Sequence, residues 1–227
     1  MTDRNVLESR RKTWEAVWPV LLKRYKRDKT FLDHANVWEL LVAVILSAQT
    51  SDNGVNKITP ALFKKYPTPQ RLMKGELAEI SKIIHSIGHY NSKARYIKET
   101  ARIVVERFDG KVPDTEEELR TLPGVGRKTA VVVLANGFGK HVGIAVDTHV
   151  IRFAHRFGLS SAKNPDKIEE DLKEIIPKRL WNRAAYAIKE YGRLEGRAVG
   201  YKPENDPLQA ALIDKKKKPR RALNKAL

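Results

Sequence analysis

The sequence predicts an all-α protein, and three observations carry that prediction. Apolar residues recur at three- and four-residue spacing along most of the chain. Residues that open helices stand ahead of several of these runs. Only residues 141–146 have strand-like composition, and they have neither a partner run nor a hairpin turn, so they read as an extended connector.

Taken in order, the apolar run 37–46 contains Glu39 and falls well short of the about twenty apolar residues that a membrane span takes. It reads as a core helix. Val55, Ile58 and Leu62 continue the helical spacing, with Pro60 inside it, which predicts a kink or a helix restart. Thr68-Pro69 is a helix start, and Leu77, Ile80, Ile84 and Ile87 form the next stripe. Ile97, Ala101 and Val104 form another. Thr115 with Glu118 three residues later has the spacing of a capping box. Asn164-Pro165 opens the stripe Ile168, Leu172 and Ile175, and Leu180, Ala184, Ile188 and Tyr191 form the last.

With 227 residues, 41% of them hydrophobic, the chain has room for one or two domains with a sizeable core, which excludes disorder as the default state. Lys and Arg number 44 against 27 Asp and Glu, a formal charge of +17. Such a balance points to a polyanionic partner such as nucleic acid, with an acidic protein or an anionic membrane as the other options. The absence of cysteine excludes disulfides, thiolate zinc sites, iron–sulfur clusters and thiol nucleophiles. The first thirty residues carry scattered charges and no clean apolar run, so no signal peptide is expected and the chain reads as intracellular, cytoplasmic or at the nucleoid. The last thirteen residues, from Lys215, hold seven Lys or Arg and no acid. They read as a solvated, disordered tail that makes loose phosphate contacts.

The segment richest in chemistry is Leu122-Pro123-Gly124-Val125-Gly126-Arg127-Lys128-Thr129-Ala130. One helix ends at a Pro-Gly-x-Gly turn and the next starts at once, which is a helix-hairpin-helix pattern. Its backbone N–H groups would face outward at a helix N-terminus, where a phosphate is well received. A plain corner between two helices has the same turn. Lys128 falls in the first turn of the second helix, where the dipole disfavours an ammonium, as does a neighbouring cation such as Arg127. An amine nucleophile needs that help. A phosphate-contacting lysine is the competing reading. Asp147, nineteen residues on, precedes Ile151, Ala154 and Phe157, and reads either as a helix N-cap or as a catalytic carboxylate.

Four ordered segments, 46–52, 87–94, 122–130 and 146–149, together resemble the endonuclease III branch of the helix-hairpin-helix DNA glycosylase superfamily, over about residues 31 to 203. The resemblance implies two helical lobes: a barrel-like domain over 31–140 ending in the hairpin, and a second lobe from 1–30 and 141–214, with 215–227 as the tail. It implies an active site in the cleft between them, with Lys128 as the nucleophile at C1′ of a damaged deoxynucleotide and Asp147 as the carboxylate that assists attack. Gln49 would enter the gap left by the flipped nucleotide, with His89 and Tyr90 beside it, and Gly124, Val125, Gly126 and Arg127 would meet the DNA backbone. Asp52 and Thr148 are supporting residues. The implied activity is base excision with abasic-site lyase action on oxidised or saturated pyrimidines. A monofunctional glycosylase for G·T, G·U or adenine mismatches, and a non-catalytic DNA-binding protein, are the alternatives. The expected partner is damaged double-stranded DNA bound by a monomer, without a membrane.

Family members usually carry four cysteines that hold a [4Fe–4S] cluster, and residues 194–205 have none. No cluster is therefore expected, and no catalytic metal either, since no second histidine lies at metal-binding spacing; the family's hairpin can hold a monovalent cation on backbone carbonyls. Packing of Tyr201, Leu208 and Leu212 is expected to order the C-terminal segment instead, with Arg197 and Lys202 in place of the cluster loop's phosphate contacts. His89 stands where relatives more often have an apolar wedge. His85 and His149 read as packing or capping residues.

Overall fold

The computed structural model describes residues 3–217, and side chains over 4–214. The described residues form twelve α-helices, two short 3-10 turns and no strand. The chain divides into two compact units, Thr30–Val142 and Met1–Lys29 with Gly143–Leu227.

In the first unit, helix α2 (Val37–Leu46) is the central element, with Trp38 and every residue from Leu40 to Leu46 buried. Asn36 caps it by accepting from the Glu39 amide, and Glu39 reaches back to accept from the Ala35 amide at 2.6 Å. This reciprocal cap fixes where the helix begins. Helix α3 (Asp52–Lys65) continues through Pro60, so the helix does not restart there. The ring faces solvent while Val55, Ile58 and Leu62 are buried on the other face, so the missing amide costs little where water can reach. Helices α4 (Pro69–Met73) and α5 (Leu77–Ile83) pack on the long α6 (Tyr90–Phe108). Ile84 and Ile87 lie past the end of α5 but are buried in the same core. Helix α7 (Glu116–Leu119) opens at the Thr115 cap, and α8 (Arg127–Gly137) packs against α2. Residues 141–146 form the irregular connector that leaves this unit.

The second unit is built from both ends of the chain. Helix α1 (Asp3–Arg24) buries Trp14, Val17 and Leu21 against α9 (Thr148–Arg156), α10 (Pro165–Lys173), α11 (Trp181–Leu194) and α12 (Pro207–Lys217), all in one core with Leu208. The sequence reading passed over α1 and α12. The three-and-four spacing of Trp14, Val17 and Leu21 was the available signal. The backbone of α12 continues to Lys217, three residues into the stretch expected to be a disordered tail; 218–227 lie outside the described residues. No helix among the described residues is long and apolar enough to cross a membrane.

Candidate active site

The hairpin is made by the end of α7 and the start of α8. Gly124 sits at φ +77, and a Cβ there would meet Ile45 Cγ2 and Tyr96 Cδ2 at 3.2 Å, so both its conformation and its surroundings require glycine. Val125 turns inward: it is a core residue, and its amide donates to the Leu122 carbonyl at 3.1 Å. Neither its side chain nor its amide is offered to a ligand. Gly126 is exposed, has open space where a side chain would be, and begins α8 without a side-chain cap. The first amides of α8 are thus open to an external acceptor.

Lys128 is the second residue of α8 and is exposed. Arg127, expected as its neighbouring cation and as a DNA contact, is half-buried and pairs with Glu116 of α7, which Arg120 also approaches at 3.4 Å. This pair ties the two arms of the hairpin together. The pairing joins residues eleven apart across the turn, which local spacing does not reveal.

Among the described residues, two of the three non-glycine residues with left-handed backbone are the expected gap-filling residues: Gln49 at φ 53 and His89 at φ 58. Gln49 lies on the turn between α2 and α3, His89 directly precedes α6, and both, with Tyr90, are exposed. Asp52, the first residue of α3 after the Ser51 cap, is buried in the same neighbourhood of the chain. The sequence reading missed Lys93, which is only 4% exposed and donates to Thr50 Oγ1 at 2.7 Å. Its phase was the signal, since it lies four residues before Ile97 on the buried stripe of α6.

In the other unit, Asp147 is the N-cap of α9. One carboxylate oxygen, Oδ1, accepts from the His149 amide at 2.8 Å and the Val150 amide at 3.0 Å. Thr148 is exposed at the first helical position. The His149 ring packs against Gly192 of α11, and burial lowers its pKa, with Arg152, Arg193 and Lys189 adding to the shift against the pull of Asp147. His85 is exposed and its Nδ1 lies 2.8 Å from the Lys82 carbonyl. No group of three or more His, Asp or Glu suited to a metal ion occurs among the described residues.

The segment after α11 is where the family resemblance implies a [4Fe–4S] cluster, which thiolates must hold. The chain has no cysteine, and this segment is tied by other means. Buried Asp206 accepts from Tyr191 Oη at 2.7 Å, Tyr201 Oη at 2.5 Å and the Leu208 amide at 2.8 Å. Arg156 lies 3.5 Å above the Tyr201 ring, donates to Tyr191 Oη at 3.1 Å and reaches the Arg197 carbonyl at 3.2 Å. The residues do not fit a cluster. Leu208 is buried and Leu212 packs on the core as expected, but Tyr201 acts through its hydroxyl and its π face rather than by apolar packing alone.

An all-helical chain whose Pro-Gly-x-Gly hairpin delivers a lysine into the first turn of the following helix has the layout of a helix-hairpin-helix protein. Residues 42–178 match the model of the HhH-GPD superfamily of base excision DNA repair proteins. Endonuclease III of Synechocystis sp. is 48% identical over 174 residues, which is 77% of this chain and 80% of that one. Endonuclease III of Thermotoga maritima is 41% identical over 173 residues, 76% of this chain and 79% of that one. A solved endonuclease III, trapped as a covalent intermediate with DNA, superposes with a TM-score of 0.83 at 38% identity, covering 87% of this chain and 93% of the other. The chain belongs to the HhH-GPD superfamily of base excision DNA repair proteins, in its endonuclease III-like branch, and lacks the cysteines of an iron–sulfur cluster.

Proposed function

We propose that this protein is a bifunctional DNA glycosylase and abasic-site lyase that removes oxidised or saturated pyrimidines from double-stranded DNA. Membership of the endonuclease III-like branch, together with an exposed lysine in the first turn of an uncapped helix behind the hairpin, carries the reading. A relative solved as a covalent intermediate with DNA supports a covalent route.

The target nucleotide leaves the stack, because its C1′ cannot be reached inside a duplex. Gln49, with His89 and Tyr90 beside it, fills the gap. The Gly126 amide and the first amides of α8 hold a phosphate. Lys128 Nζ, as the free amine, bonds to C1′ as the bond from C1′ to the base breaks, and the base leaves with the electron pair and takes up a proton. The Asp147 carboxylate stabilises the cationic character that develops on the sugar. The amine then loses a proton, the C1′–O4′ bond breaks with its electron pair going to O4′, which takes up that proton, and an iminium forms between Lys128 and C1′. Loss of a C2′ proton expels the 3′ phosphate with the electron pair of the C3′–O bond, and water releases the enzyme. The protein works as a monomer on damaged double-stranded DNA, at the nucleoid or in the cytoplasm.

Borohydride reduces an iminium and fixes it covalently, so trapping on duplexes carrying thymine glycol, 5,6-dihydrouracil, an abasic site or a G·T or G·U mismatch tests the reading. The expected result is a trapped complex with the wild type, strongest on the pyrimidine lesions, and none with Lys128→Gln. Base loss without trapping, exposed by alkali, would instead identify a monofunctional glycosylase. Nicking retained by the lysine variant would remove Lys128 from the nucleophile's role.

A further inference from the structure

Lys93 is a costly residue in its place. Lysine is almost never fully buried unless paired, and here the ammonium has one neutral partner, Thr50 Oγ1 at 2.7 Å. Burial lowers its pKa, and among the described residues no carboxylate offsets that cost. It also lies in the first turn of α6, the positive end of the helix dipole. An apolar side chain would fill the position without any of these penalties, so the directed bond to Thr50 is the feature that needs a reason.

Its surroundings supply one. Thr50 directly follows Gln49, while the Lys93 amide donates to the His89 carbonyl at 3.0 Å. Lys93 therefore grips both turns, one through its side chain and one through its backbone. Gln49 and His89 are exposed polar residues held in left-handed backbone, a state that costs a non-glycine residue about 1–3 kcal/mol and persists only where the surroundings impose it. Asp109, the third such residue, is the C-cap of α6, a usual place for that conformation. Further along the same helix, Tyr96 lies against Gly124 and Thr100 Oγ1 donates to the Pro123 carbonyl at 3.3 Å. Helix α6 thus spaces three segments: the Gln49 turn, the His89 turn and the hairpin.

We propose that Lys93 is a positioning residue for nucleotide extrusion: its bond to Thr50 clamps the Gln49 turn to the His89 turn, so that both side chains meet the duplex at a fixed spacing. This rests on the glycosylase reading above. Lys93 touches neither the sugar nor the base in this role, and it matters only where a gap in a duplex must be filled.

The test compares single-turnover excision of thymine glycol from duplex with nicking of a single-stranded abasic oligonucleotide, which has no gap. Lys93→Met and Thr50→Val are each expected to slow duplex excision by about tenfold to a hundredfold while leaving single-stranded nicking at the wild-type rate. The double variant is expected to be no slower than either single one, and Thr50→Ser, which keeps the hydroxyl, restores excision. Duplex excision within about twofold of wild type in both variants, losses that multiply in the double variant, or equal losses on the two substrates would each overturn the clamp. Failure of the underlying reading looks different, because the wild type itself would neither nick the single strand nor be trapped by borohydride.

Discussion

Asp147 carries two readings that a pair of substitutions separates. Its Oδ1 accepts two amides at the start of α9, and an asparagine side chain keeps that oxygen while losing the charge. Asp147→Asn is therefore expected to melt with the wild type yet excise about a hundredfold more slowly, because the carboxylate charge is what the cationic sugar needs. Asp147→Ala loses the cap as well and should cost about 1 kcal/mol in stability. Thermal melts beside single-turnover assays check both, and an asparagine variant with wild-type rates would reduce Asp147 to a cap. Lys93 and Arg127 make the complementary point. Their types and positions were plain in the sequence, but what they bind was not, because Thr50 is 43 residues from Lys93 and Glu116 sits on the opposite arm of the hairpin from Arg127.

The two hairpin glycines do different work, and substitution divides them. Gly124→Ala forces a Cβ into left-handed backbone against Ile45 and Tyr96, so it should destabilise the protein by about 1–2 kcal/mol and weaken DNA binding with it. Gly126 has φ −91 and open space, so Gly126→Ala should leave the melting temperature in place and weaken only the binding of duplex, by crowding the amides of α8. Melting and fluorescence-anisotropy titrations distinguish the pair; equal losses of stability would sink the distinction. What the sequence revealed at this scale follows the range of the interactions. The caps at Thr68, Thr115, Asp147 and Asn164 each bond a residue two or three positions ahead, so local spacing exposes them. The continuity of α3 through Pro60 was not legible, because it depends on which face of that helix meets solvent. The inward turn of Val125 depends likewise on the core beneath the hairpin.

At the scale of the whole molecule, the unit made from both chain ends must hold its C-terminal segment without thiolates, and a charged knot does so. Asp206 accepts three hydrogen bonds while Arg156 spans Tyr191, Tyr201 and Arg197. These partners are spread in sequence from 156 to 208, which is why the sequence pointed to packing and missed the network. Burial and the bond to Asp206 raise the pKa of Tyr191 and Tyr201, so both stay neutral donors through the physiological range. Replacing Asp206 by alanine strands two hydroxyls and the Leu208 amide at the root of α12, which packs on α1. The expected cost is about 3 kcal/mol, read as a drop of several degrees in the melting temperature. Asp206→Asn, which keeps an acceptor, should lose less. Dialysis of the wild type against a chelator under air should leave its melting temperature unchanged, because the segment is ordered by side chains that neither oxidise readily nor dissociate. A wild type that melts earlier after chelation, or an Asp206→Ala variant as stable as the parent, would show that something other than this knot holds the end of the chain.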